Sequence, residues 1–209
     1  MKNIFLSSSV NFVAHDIAKH LPKPVKGSKL LFVTTSVEVE QGDLQWFKDD
    51  RNSLVKCGFD VINYTFTGKA AEEIKNQLDH VDILYISGGN QFYLLKKIQE
   101  TGCAQIIKDF VSSGKPYIGC SAGSVVAGPN IEITKRIDEA DFAQNLTSFD
   151  GLSLVDFIIF PHWGSGHFKH VYLNYRLDLA YGTEYKIILL TDTQYVWVKD
   201  EWYQIIDTQ

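Results

Sequence analysis

The amino-acid sequence predicts an α/β protein, with a mostly parallel sheet, helices on both faces and a C-terminal hairpin. Three observations carry that expectation. β-prone apolar runs alternate with amphipathic helical stretches, joined by short connections. Several of the strand runs are apolar nearly throughout, the mark of strands buried on both faces. Glycines fall just past the helical stretches, where a left-handed residue ends a helix.

The elements follow in order. Asn3–Leu6 is a short apolar run, and Lys29–Thr35 (KLLFVTT) reads as a buried strand. Gly42–Cys57 places Leu44, Phe47, Leu54 and Val55 among charges, an amphipathic helix closed by Gly58. Phe59–Phe66 is the next strand, Ala70–Leu78 a helix and Val81–Ser87 a strand, punctuated by Gly88-Gly89. Helices follow over 91–100 and 103–113, closed by Gly114, and Tyr117–Cys120 is a short strand leading into Ser121. Leu154–Phe160 is a later buried strand and His167–Ala180 a helix. Lys186–Thr191 and Tyr195–Lys199 are strands, and a tight return at 199–201 sends Trp202–Ile206 back as a hairpin at a sheet edge.

Composition limits the function classes. With 209 residues, 45% of them hydrophobic, the chain suits one packed domain spanning 1–209. A formal charge of −5 gives no reason to expect nucleic acid or an anionic membrane as partner. No apolar stretch nears the roughly 20 residues that span a bilayer, and Ser7–Ser9 interrupt the first apolar run. Cys57, Cys103 and Cys120 are odd in number and widely spaced, which points to a reducing compartment rather than a disulfide framework or zinc site. A cytoplasmic location is therefore expected, and Asn145-Leu146-Thr147 carries no weight as a glycosylation acceptor.

Residues 119–123 read Gly-Cys-Ser-Ala-Gly, a G-x-S-x-G pattern between a strand and a helix. A serine on so sharp a turn projects its hydroxyl above the sheet edge, and the helix aims free N–H groups at the same place. The plain alternative is a tight glycine turn without chemistry. A serine also needs a base. Of six histidines, His162 alone follows a buried strand, and the carboxyl ends of parallel strands share one rim. His15, His20 and His80 read as surface residues. His167 and His170 lie three apart, without a third ligand of suitable spacing, so no metal or other cofactor is expected. A carboxylate should orient the imidazole. Asp138, Glu139, Asp141, Asp150, Asp156 and Asp192 are all open candidates. Cys120 reads as a buried small residue beside the nucleophile, and Gly88-Gly89-Asn90 as a strand-end turn able to point an N–H at a ligand.

Four segments together resemble the peptidase E family of aspartyl dipeptidases, and more distantly cyanophycinase. They are residues 85–92 (YISGGNQF), 118–124 (IGCSAGS), 127–131 (AGPNI), and Phe149-Asp150-Gly151-Leu152 running to Phe160-Pro161-His162. The resemblance implies a fold related to class I glutamine amidotransferases, with serine in place of their cysteine. It implies Ser121 as nucleophile, His162 as base, and the N–H groups of Gly89 and Ala122 as oxyanion hole. In the dipeptidases an aspartate follows the nucleophile by about fifteen residues. That spacing lands on Arg136 here, so Asp138 is ranked first as third member, and Asp192, which matches the late-strand carboxylate of the cyanophycinase-like relatives, is the alternative. The implied substrates are small peptides with an amino-terminal aspartate, with Arg176 and Asn90 as substrate contacts. The competing readings are an esterase-like serine hydrolase and a binding protein of the same fold that lacks turnover. The remaining expectation is a monomer or homodimer.

Overall fold

A computed structural model describes residues 2–135, 142 and 146–209. Nine strands are formed among them: β1 (Asn3–Ser7), β2 (Lys29–Val33), β3 (Asp60–Tyr64), β4 (Ile83–Ile86), β5 (Tyr117–Cys120), β6 (Phe157–Phe160), β7 (Lys186–Leu189), β8 (Gln194–Lys199) and β9 (Trp202–Asp207). The helices are α1 (Val10–His20), α2 (Gln45–Cys57), α3 (Ala71–Asp79), α4 (Gln91–Thr101), α5 (Ala104–Ser112) and α6 (Ala122–Val126). A last helix, α7 (169–180), contains a π turn over Tyr172–Arg176.

The main sheet has seven strands in the order β3-β2-β4-β5-β1-β8-β9. β1 to β5 run parallel, and β8 and β9 are antiparallel additions at one side. The expected C-terminal hairpin is β8–β9. It turns at Asp200, whose φ is 55°.

Strand periodicity separates two cores. Leu31, Val33, Leu84 and Ile86 face one side, where α3, α4, α5 and α6 cover them. Leu30, Phe32, Ile83 and Tyr85 face the other, against Val10, Val13 and Ile17 of α1 and Leu54 of α2. Because both faces are covered, the central strands are apolar along most of their length, with Lys29, Asn3 and Ser7 at strand ends. α1 supplies its apolar stripe from residues that the sequence reading leaves without an element.

One expectation changes. Leu154–Phe160 reads as a strand among the others, but Phe157–Phe160 pairs in parallel with β7 in a separate two-stranded sheet. Phe157 and Ile159 pack toward the main core, while Ile158 and Phe160 pack with Tyr172 of α7. A fully apolar strand buried between two layers has the same sequence pattern in either sheet, so the pattern cannot assign its partners. Among the described residues no helix is long and apolar enough to cross a membrane.

Candidate active site

β1, β2, β4 and β5 all deliver their carboxyl ends to one rim. Ser121 follows β5 with φ 44° and ψ −105°, a conformation that L-residues seldom adopt. The surrounding contacts enforce it. Ser121 N–H donates to Ser7 O at 2.9 Å, and Ser121 O accepts from the N–H groups of Ser124 and Val125. Ser124 Oγ donates toward Ser7 O and Gly119 O. The two flanking glycines are needed for space. A Cβ at Gly123 would stand 2.2 Å from Ile86 O, and one at Gly119 would stand 2.8 Å from Gly123 O.

His162 leaves β6 through Pro161 and also has a positive φ, 63°. Its Nε2 lies 3.0 Å from Ser121 Oγ, and its Nδ1 lies 2.6 Å from Asp192 Oδ1. Phe168 stacks on the imidazole with ring centroids 4.5 Å apart and planes at 10°. Asp192 follows β7, so base and carboxylate come from the carboxyl ends of the two strands of the small sheet. Asp138, ranked first as third member, lies outside the described residues, as does Glu139. Among the described residues, the carboxylate in contact with His162 is that of Asp192.

Ser8 joins the two sheets. Its hydroxyl accepts the His162 N–H at 3.0 Å and donates to Leu190 O at 2.9 Å. Sequence reasoning missed it. The available signal was a polar residue at the carboxyl end of β1, on the same rim as the nucleophile.

Gly89 has φ 121°, and a Cβ there would lie 2.4 Å from Ser36 O. Ser36 Oγ donates to Gly88 O at 2.6 Å. In a trans peptide the N–H points opposite to the carbonyl. Anchoring Gly88 O therefore turns the Gly89 N–H away from Ser36 Oγ, and both glycines line the cleft. The Ala122 N–H opens α6, where no intrahelical acceptor exists. Asn90, expected at the substrate, is buried, and its Oδ1 accepts the Tyr93 N–H as the cap of α4. It holds the turn behind Gly89.

The cleft around Ser121 has a volume of about 400 Å³. Arg176 lines it from α7 and is only 4% exposed. Its guanidinium lies 5.1 Å from the centre of the Tyr172 ring, and Nη1 donates to Tyr172 Oη at 3.3 Å. Its Nε is buried without a hydrogen-bond partner among the described residues. Asp50 lines the cleft from α2 and was also missed. Its signal was a carboxylate three residues after Phe47 and four before Leu54, on the apolar stripe of α2. Burial pushes its carboxyl up to about 6. Cys120 is buried as expected, with Sγ donating to Ser8 O and Asp50 Oδ2.

A hydroxyl, an imidazole and a carboxylate in one hydrogen-bonded line at the carboxyl edge of a parallel sheet is the constellation of serine hydrolases. The comparisons narrow the class. The family model described as Peptidase family S51 matches residues 4–206, and the chain belongs to that family. An uncharacterized peptidase of Pasteurella multocida is 32% identical over 202 residues, covering 96% of this chain and 95% of that protein. Peptidase E of Haemophilus influenzae is 31% identical over 173 residues, covering 79% and 75%. A crystal structure of a candidate peptidase E protein from Listeria monocytogenes superposes with a TM-score of 0.90 at 29% identity, with full coverage of both chains.

Proposed function

We propose that this peptidase is of the serine type and cleaves short peptides, dipeptides with an amino-terminal aspartate in particular, through an acyl-enzyme on Ser121. The observation that supports this best is the line Ser121 Oγ–His162 Nε2, 3.0 Å, and His162 Nδ1–Asp192 Oδ1, 2.6 Å, opening into a cleft. Ser121 attacks the scissile carbonyl while His162 takes its proton. The Gly89 and Ala122 N–H groups receive the developing oxyanion. His162 then returns the proton to the leaving amine, and water repeats the sequence on the ester. Asp192 keeps the Nδ1 proton in place, so that Nε2 is free to act as base.

The unpartnered Nε of Arg176 supports the choice of an acidic substrate. A buried guanidinium favours an anion, and its donors match a carboxylate. A charged hydrogen bond of about 1.5–3 kcal/mol gives roughly a ten- to hundredfold preference. The test is kcat/KM for Asp-Leu, Asn-Leu and a simple ester, in wild type, Arg176→Ala and Ser121→Ala, with a fluorophosphonate to label the nucleophile. Asp-Leu should be preferred, and Arg176→Ala should abolish the preference. Turnover of the ester alone would replace the peptidase reading with an esterase. Labelling without any turnover would favour a binding protein.

A further inference from the structure

The cleft straddles the edge of the main sheet, so its two walls belong to opposite layers. Arg176, Gln91 and Val125 line it from the side of α4, α6 and α7. Ser9, Trp46 and Asp50 line it from the side of α1 and α2. One wall thus carries a buried cation and the other a buried anion.

Asp50 is only 2% exposed. Its Oδ1 accepts the Asn11 N–H at 2.9 Å and faces Ser9 Oγ at 3.5 Å, while Oδ2 faces Cys120 Sγ at 3.4 Å. Among the described residues no lysine or arginine pairs with it. The ionisable groups around it are Cys120 of β5, Tyr85 of β4 and His162. A buried carboxylate without a cation is costly to keep, and such groups cluster where a ligand supplies the missing charge.

From this geometry we infer that Asp50, with Ser9 beside it, is the subsite for the free α-ammonium group of the substrate. The ammonium of an amino-terminal residue is two bonds from the scissile carbonyl carbon, so its pocket must adjoin the nucleophile. Asp50 meets that condition, because it contacts the residue immediately before Ser121. An amino-terminal aspartyl residue then presents opposite charges to opposite walls, ammonium to Asp50 and side-chain carboxylate to Arg176. This rests on the peptidase reading for the identity of the ligand. It adds that the enzyme acts only on unblocked amino termini, and it gives Asp50 a role other than bracing the turn at Cys120.

The test compares Asp-Leu with succinyl-leucine, which is Asp-Leu with hydrogen in place of the α-ammonium. Both are titrated calorimetrically into Ser121→Ala protein, so that binding is read without turnover. Asp-Leu should bind about ten- to hundredfold more tightly, the range of a charge-assisted hydrogen bond. In Ser121→Ala/Asp50→Asn the two ligands should bind alike. A role confined to bracing the turn would weaken both equally. A second reading needs no Asp50 variant: at about pH 5.5 Asp-Leu should release a proton from the single variant and succinyl-leucine should not. Equal binding of the two ligands to Ser121→Ala, a discrimination that survives Asp50→Asn, or no binding of Asp-Leu at millimolar concentration overturns the inference. If the discrimination is present and wild type cleaves no peptide, the subsite stands and the peptidase reading falls.

Discussion

At the scale of single residues, Asp192 and Asp50 both line the cleft but sit in different surroundings. Asp192 is 36% exposed in its side chain and directly hydrogen-bonded to the imidazole, which suits a group that orients the ring. Replacing it by asparagine leaves the shape but presents the wrong atoms to Nδ1. Asp192→Asn should therefore lower kcat by about 10⁴-fold, the size of the equivalent change in a serine protease, with KM little altered. Steady-state kinetics on the folded variant checks this.

Asp50 is enclosed instead, and its carboxyl is raised from 3.8 to about 6. A carboxyl raised on folding holds its proton more tightly in the native state. Stability therefore falls as pH rises from the ordinary value toward 6, and the full penalty stands above that. Asp50→Asn should raise stability at neutral pH by up to about 3 kcal/mol, a gain that vanishes on acidification to about pH 4. Denaturation at both pH values measures it. A variant no more stable than wild type at neutral pH would mean that the carboxylate is better solvated than its burial implies.

At the scale of elements, the site depends on what joins the main sheet to β6–β7. Ser8 holds the His162 N–H and Leu190 O with one hydroxyl. Leu190 O also accepts the Trp163 N–H, so Ser8→Ala leaves the His162 N–H as the unsatisfied group and frees the segment that carries His162. The expected effect is a loss of about 1–3 kcal/mol in stability, together with a fall in kcat larger than any rise in KM. Parallel loss of kcat and KM, or none, would show that β6–β7 is positioned by its apolar packing alone.

Which elements were legible follows from the same physics. Tyr117–Cys120 has the same bounds in sequence and structure, because a short apolar run there meets a tight glycine turn. β1 to β5 and α2 to α5 were legible because their apolar periods are unbroken. The pairing of β6 with β7 was not, since it depends on neighbours over twenty residues away. The π turn that carries Arg176 into the cleft leaves no periodic signature in so short a stretch. Placed second to Asp138 by the resemblance, Asp192 is on the residues alone one of several open carboxylates, for the same reason. Its nearness to His162 exists only once two strand ends are side by side.

At the scale of the whole molecule, the candidate nucleophile belongs to a seven-stranded sheet, and its base and carboxylate to a two-stranded one. The two sheets are unequal in resources. The larger is covered on both faces, whereas β6–β7 is held by four residue pairs and by its packing on its neighbours. Isolated two-stranded sheets are marginal at best, and elements with few contacts open before the rest of a protein does. Amides of Phe157–Phe160 and Lys186–Leu189 should exchange with solvent faster than those of β2, β4 and β5. In rising denaturant, hydrolysis should disappear at a lower concentration than the far-ultraviolet dichroism of the helices. Coincident midpoints would mean that the two sheets melt as one unit. A chemical centre divided between a stout body and a slight one acts as a fuse: mild stress disarms it while most of the fold is still standing, and removing the stress rearms it without a return to the unfolded chain.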